Sequence, residues 1–365
     1  MEDMKSRMEA LLKGCVITAY DGTRLYTPDG RGCYPALWTR DFSYMVEGAG
    51  ELIPAEDIRK CVDYLLSHAA EDGWIPDRVY ADGSVRYAAG GEGFPGLNNL
   101  DNGPFLVLIA DEYLKMCSPE DAKAQFEKWQ KGLCAGVDCL ETDARGLVYN
   151  DSERAHSPYG FTDCIKKTGS LCMESLLLWR ALKALACWQR TCGMNGEGCE
   201  RRAKRIEQNL WDAFASGDGL LYASTEICRQ RDVWASCYAL SIDFPLNGEQ
   251  KDILARRLLN GKAEFVQRGQ IRHLPEGEFW QETFVPVPRG EYQNGAYWAT
   301  ASGWYAEAVA RADENAAREV LDEVLSDFEE NGIFECVRGE YRKLDTYVAS
   351  AANVYRVFKK YRETR

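Results

Sequence analysis

Several segments of this chain set carboxylates, amides and an arginine among aromatic rings. Residues 34–42 read Tyr-Pro-Ala-Leu-Trp-Thr-Arg-Asp-Phe. Trp38, Arg40 and Asp41 together offer a flat apolar face beside donor and acceptor groups, the combination that a ring carrying vicinal hydroxyls requires. The plainer alternative makes Asp41 or Thr39 a helix N-cap and Trp38 packing. In segment 71–101, Trp74 is a second candidate platform, and Asp101 is either the cap of the next helix or a ligand contact. Asp163 stands between Phe161 and Ile165, with Tyr159 near and Lys166 and Lys167 following. Desolvation by those rings would raise its pKa, as a general acid needs; the lysines oppose this. Otherwise Asp163 is a turn residue. Residues 279–298 carry Trp280, Glu282, Glu291, Gln293 and Trp298. Either glutamate is a catalytic candidate or an ion-pair partner of Arg289. Glu335 lies between Phe334 and Cys336. A lone carboxylate between apolar neighbours is a general-base candidate, the alternative being a salt bridge to Arg338 or Arg342.

These segments sit in a regular rhythm. Helical periodicity predicts about a dozen helices, separated alternately by short and long gaps. Short gaps fall at Ile53–Pro54, Ser118 and Gly193–Asn195. Long gaps span 15–39, 71–101, 136–168, 216–230, 261–293 and 332–345. A short gap makes neighbouring helices antiparallel. Six such pairs closed into a circle would put all the long gaps at one end, and long loops in a compact fold are usually functional. The expected fold is therefore all-α: an (α/α)6 double-ring barrel with small β-hairpins in its loops, one domain over residues 1–365. The helix near 170–188 is apolar on most sides and suits an inner ring. The helix near 197–215, rich in Arg and Glu, suits an outer one. Asp21-Gly22 between CVITAY and RLYTP predicts a hairpin. Ser118-Pro119-Glu120-Asp121 predicts a helix start. A helix is expected over about 295–311 and a last one over about 346–363.

Bulk composition narrows the field. The net charge is −13, from 44 basic and 57 acidic residues, which argues against a nucleic-acid or anionic-membrane partner. The 14 cysteines form no Cys-x-x-Cys pair, and with only three histidines no zinc spacing arises. No cofactor and no metal are expected. The N-terminus lacks an apolar signal core and no run approaches 18 apolar residues, so a thiol-rich cytoplasmic protein is expected.

At WTRDF, PYGFTD followed by SLCMESLLLWRAL, YQNGAYWATASGWYAEAV and GIFECV, the chain resembles the six-hairpin (α/α)6 glycosidases, the group of trehalases, glucoamylases and processing α-glucosidases. The likeness covers nearly the whole chain. It implies that Asp163 is the general acid, that Glu335 is the general base and that WTRDF binds substrate. Phe161-Thr162 stands where the group carries tryptophan, and Gln293-Asn294 where it carries arginine.

The expected activity is inverting, exo-acting hydrolysis of a short oligosaccharide or glycoside. Asp163 would protonate the leaving oxygen and Glu335 would activate water. Trp38, Arg40, Asp41, Trp74, Asp101, Trp280, Glu282, Gln293 and Trp298 are the expected substrate-binding residues, the tryptophans as walls. Two rivals stand beside this. A sugar epimerase or unsaturated-uronide hydrolase on the same barrel would want bases on both faces of the sugar, often histidine; His156 and His273 are available. A non-catalytic carbohydrate-binding toroid would need the rings but not the solitary carboxylates.

Overall fold

Apolar residues at three- and four-residue spacing, closed by local caps, build the helices of this protein. The computed structural model describes residues 2–91 and 93–362. The α-helices are α1 (Glu2–Gly14), α2 (Thr39–Ala49), α3 (Ala55–Ser67), α4 (Asn102–Met116), α5 (Pro119–Asp138), α6 (Cys172–Thr191), α7 (Glu197–Phe214), α8 (Val233–Ser241), α9 (Gly248–Asn260), the single turn α10 (Lys262–Phe265), α11 (Ser302–Ala310), α12 (Glu314–Asn331) and α13 (Val348–Arg362). Helix α5 starts as expected: Pro119 takes the first turn and the Ser118 side chain accepts from the Asp121 N–H. A reciprocal Asn247/Gln250 capping box opens α9. On α7 the buried residues Ala203, Ile206, Leu210 and Phe214 form one stripe, whereas α6 is buried on most sides.

The helix contacts run in a circle. Helix α2 packs on α4, α4 on α6, α6 on α8, α8 on α11, α11 on α13, and α13 returns to α2. The remaining long helices lie against this set: α3 on α4, α5 on α4 and α6, α7 on α6, α9 on α8 and α11, α12 on α11, and α1 on α13. Helices α2 and α13 approach so closely that a Cβ on Gly48 would overlap the Ala352 carbonyl. The centre is filled with rings. Tyr44 meets Phe105 at 5.2 Å and Trp304 at 5.5 Å, and Trp304 meets Tyr238 at 4.9 Å and Trp234 at 5.7 Å. Each such ring buries roughly 150–250 Å², on the order of 4–6 kcal/mol of transfer free energy, so the middle of the circle is a packed core.

Among the described residues, every sheet is antiparallel and has two or three strands. The Asp-Gly hairpin pairs Val16–Thr18 with Arg24–Tyr26. The segment 332–345 forms a hairpin, Phe334–Arg338 against Tyr341–Asp345. The helix expected from about 295 starts later. Tyr297 exchanges backbone hydrogen bonds with Val337, and Trp298 with Ile271. Those bonds hold 297–298 extended until a 3-10 turn, Ala299–Ala301, leads into α11. Among the described residues no helix is long and apolar enough to cross a membrane.

Candidate active site

Five of the six long segments meet around one cavity of about 220 Å³. The first contributes Pro28, Tyr34 and Trp38; the second, Gly90 and Phe94; the third, Gly160, Phe161 and Asp163; the fifth, Tyr292; and the last hairpin, Glu335 and Lys343. Arg40 and Asp41 of α2 and Tyr347 complete the lining. The remaining segment, 216–230, supports the wall from behind: Thr168 N–H donates to the Ile227 carbonyl, and Leu171 bridges Ser224.

The WTRDF segment enters α2 from a strand. Ala36–Trp38 pairs with Arg78–Tyr80, and the Arg78 guanidinium sits 4.5 Å from the centre of the Trp38 ring. Tyr34 meets Trp38 edge-on at 5.3 Å. The indole Nε1 of Trp38 is buried with no partner among the described residues. Arg40 is almost wholly buried; its Nη2 donates to Asp77 at 2.7 Å and its Nε to Asp101 at 3.0 Å. Asp101 also accepts the Gly160 N–H at 2.7 Å. Two carboxylates on one guanidinium satisfy the charge, and Gly160 lies so close that a Cβ there would overlap Arg40. Thr39 Oγ1 donates to the Pro76 carbonyl, and α2 begins without a side-chain cap. Asp41 is therefore not a cap. Its Oδ1 accepts from the Tyr347 hydroxyl at 2.5 Å, and burial raises its pKa to about 6 against the opposing charge of Arg40.

Asp163 and Glu335 line the same cavity, 172 residues apart in sequence. Burial raises the Asp163 pKa to about 7, opposed by the Arg40 charge and by the Gln293 amide, which donates to Oδ1 at 2.8 Å. Burial raises Glu335 to about 8, opposed by Lys343 and by the Tyr34 hydroxyl and reinforced by the charges of Asp41 and Asp163. Tyr34 Oη lies 3.2 Å from each Glu335 oxygen. Lys343 Nζ lies 3.9 Å from Oε2 and 3.9 Å from the centre of the Tyr292 ring. Desolvation dominates at both carboxyls, and groups shifted in this way in a cavity are candidates for a functional site.

The other residues singled out in the sequence lie elsewhere. Trp298 is fully buried, edge-on to Phe161 at 5.6 Å and to Trp234 at 6.0 Å, so it is core and not a wall. Trp280 is buried as well; its Nε1 donates to the Gln293 carbonyl at 2.9 Å, and it backs the segment that carries Gln293. Trp74 stacks on His156 at 5.3 Å, joining two loops away from the cavity. Glu282 is half exposed and pairs with Lys166 at 3.5 Å. Glu291 is exposed and does not line the cavity. Asp101 occupies the position before α4 but makes no side-chain cap; it holds Arg40 and Gly160 from beneath. Gln293 touches Asp163 instead of facing the cavity. Nothing in the sequence marks Tyr347 or Lys343, since a tyrosine before a helix and an alternating lysine in a strand are common surface patterns. Among the described residues no group of three or more His, Cys, Asp or Glu side chains is placed to hold a metal ion.

The sequence matches no protein-family model and no curated protein. The backbone matches many solved structures. A GH63 mannosylglycerate hydrolase from Thermus thermophilus in complex with Tris superposes with a TM-score of 0.70 at 15% identity, over 96% of this chain and 99% of that one. The fold is one found in glycosidases. An uncharacterized conserved protein from the same organism has a TM-score of 0.68 at 15% identity, with the same coverage. A rhamnosidase from Klebsiella oxytoca with rhamnose bound has a TM-score of 0.65 at 14% identity, over 98% of this chain and 64% of that one.

Proposed function

We propose that this protein is an inverting, exo-acting glycoside hydrolase with Asp163 as general acid and Glu335 as general base. The observation that carries this reading is the pair of desolvated carboxyls on one small cavity, each held by neutral or cationic donors. Asp163 gives its proton to the glycosidic oxygen as the bond from that oxygen to the anomeric carbon breaks. Water attacks the anomeric carbon from the opposite face and passes its proton to Glu335. Solvent then restores both groups. Inversion needs room for that water, with carboxyls about 6.5–9.5 Å apart. Tyr34 and Lys343 keep Glu335 oriented and favour its charged form.

Trp38 supplies the apolar face for the sugar. Arg40 has Nε and Nη2 engaged and offers Nη1; Asp41 has Oδ1 engaged and offers Oδ2. The cavity is smaller than the roughly 300–1,000 Å³ of pockets for drug-sized ligands. It suits one terminal sugar, hence exo action on a short glycoside. The circular order of helix contacts supports a double-ring (α/α)6 barrel spanning 1–365 as one catalytic domain. The fold shared with a mannosylglycerate hydrolase and a rhamnosidase supports a sugar substrate. The histidines favour hydrolysis over epimerisation. His273 stacks on Trp234 at 3.9 Å within the core, His156 bonds the Asn98 carbonyl, and neither lines the cavity.

The test is a screen of nitrophenyl glycosides and short oligosaccharides, with the anomer of the first-formed product read by NMR. Release of sugar with inverted configuration supports the proposal. Retention of configuration, or no hydrolysis of any member, sinks it.

A further inference from the structure

Gln293 is fully buried between two loops, and all four of its hydrogen-bonding positions are engaged. Its Oε1 accepts from the Cys164 backbone N–H at 3.0 Å and from the Cys164 thiol at 2.7 Å. Its Nε2 donates to the Gly160 carbonyl at 3.2 Å and to Asp163 Oδ1 at 2.8 Å. The orientation of this amide needs no assumption about protons. A backbone N–H only donates and a backbone carbonyl only accepts, so Cys164 and Gly160 independently fix which end is oxygen and which is nitrogen. The group facing Asp163 is therefore an N–H donor, and Oδ1 must be an acceptor.

That constraint favours the proton of Asp163 on its other oxygen. Oδ1 receives an N–H, which leaves Oδ2, the oxygen with no hydrogen-bond partner among the described residues, on a residue that lines the cavity. The segment is anchored from outside the site too. Trp280 Nε1 donates to the Gln293 carbonyl, the Trp280 backbone N–H donates to Asn294 Oδ1, and Ser157 Oγ donates to the Asp163 carbonyl at 3.1 Å. Tyr292 adopts φ of 44°, a left-handed conformation that is costly for a residue with a side chain, and it does so immediately before Gln293.

We propose that Gln293 is a positioning residue for the acid, confining the transferable proton of Asp163 to Oδ2, and that it makes no contact with the sugar. This rests on the reading of Asp163 as the general acid. With Oδ1 occupied by the amide, the proton is favoured on Oδ2 at the cavity, so the donor is aimed at the leaving oxygen when substrate binds. The amide also stabilises the carboxylate that remains once the proton has left.

The experiment compares wild type with Gln293→Leu and Gln293→Glu. The first readout needs no substrate: carboxyl NMR of protein labelled with 13C-aspartate, with the Asp163 signal assigned by its loss in Asp163→Asn. Removing a donor from the carboxylate should move the Asp163 midpoint upward, on the order of one pH unit. Gln293→Glu keeps an acceptor for the Cys164 N–H but sets a second carboxyl against Oδ1, and should move it upward as well. If Gln293→Leu fails to fold, Gln293→Glu carries the test. The second readout uses the nitrophenyl glycoside found by screening and its methyl glycoside. Both variants should lose roughly 10- to 100-fold in kcat on the methyl glycoside, the scale of a charge-assisted hydrogen bond. They should lose less on the nitrophenyl one and show little change in KM. An unmoved midpoint, or a raised KM with unchanged kcat, overturns the proposal. Failure of the acid reading shows up separately: Asp163→Asn would keep full activity on the methyl glycoside while the NMR shift persisted.

Discussion

The hydroxyl of Tyr34 lies 3.2 Å from both carboxyl oxygens of Glu335, joining the first long segment of the chain to its last hairpin. Tyr34 also braces Trp38 edge-on, so one residue holds the proposed base and the proposed sugar platform together. A donor on a carboxylate favours its charged form. Tyr34→Phe should keep the ring contact but leave Glu335 harder to ionise. Since Glu335 has the higher of the two midpoints, the alkaline limb of kcat/KM against pH should move upward, with a loss of about 10-fold near neutral pH as the ionised base becomes scarcer. An alkaline limb that stays in place would count against Glu335 as the base.

Asp163→Asn and Glu335→Gln should each lower turnover by roughly 10²- to 10⁴-fold, the scale of general acid–base catalysis. The two defects should differ in kind. A nitrophenyl leaving group needs little protonation, so it should restore much of the Asp163→Asn rate and little of the Glu335→Gln rate. Comparing nitrophenyl and methyl glycosides checks this; equal rescue of both variants would overturn the roles.

The two carboxyls are raised to about 7 and about 8 by desolvation, and the Asp163 charge raises Glu335 further. The active state holds one proton between them, and the measured midpoints belong to the pair. Activity should fall below about pH 7 as the pair takes up a second proton, and above about pH 8 as it loses its last. The kcat/KM profile of the free protein should form a narrow bell in that interval. An optimum near pH 5, where an unburied carboxylate pair would act, would contradict it.

Linkage gives a stability signature of opposite bias. A carboxyl with a raised folded-state pKa contributes stability that is full below its unfolded value, near 4. The contribution declines as pH rises and is lost once pH passes the folded value. Asp163 and Glu335 should thus weaken the fold progressively between about pH 4 and pH 8. Asp163→Asn and Glu335→Gln remove a group that must ionise while buried. Each should melt higher than wild type at pH 9, with the advantage shrinking toward pH 4, as thermal denaturation followed by circular dichroism would show.

Gly160→Ala should be among the most damaging single-methyl changes in the molecule. The added Cβ overlaps the Arg40 side chain, whose Nε and Nη2 hold Asp101 and Asp77 out of solvent. Displacing it leaves buried carboxylates without their partner, at a cost of about 3–5 kcal/mol, and shifts the loop that carries Asp163. Chemical denaturation and activity should both register the change; near-wild-type stability would mean that the buried network gives way without cost.

Much of this was legible without coordinates. The apolar run of α6, the Arg- and Glu-rich character of α7, the Ser118-Pro119 start of α5 and the Asp21-Gly22 hairpin are local patterns, set by contacts within a few residues. So is the setting of Asp163 and Glu335, lone carboxyls beside apolar neighbours, which desolvation alone makes unusual. Local pattern does not say which way an aromatic ring faces. Trp298 and Trp280 read as platforms because they stand among polar residues. Trp298 instead packs on Phe161 and Trp234 from distant segments, and Trp280 is tied to the Gln293 backbone. Burial of so large an apolar area outweighs the polarity of the sequence around it. Gln293 carries no mark of its role, because its four partners come from residues 160–164, about 130 positions away. Tyr34 meets Glu335, and Asp41 meets Tyr347, only where the first and last loops are brought together as α13 packs on α2. Sequence by itself determined the elements and the candidate acid and base. Tertiary packing decided what surrounds them, since desolvation and hydrogen bonding at a carboxyl depend on every chain segment that reaches it.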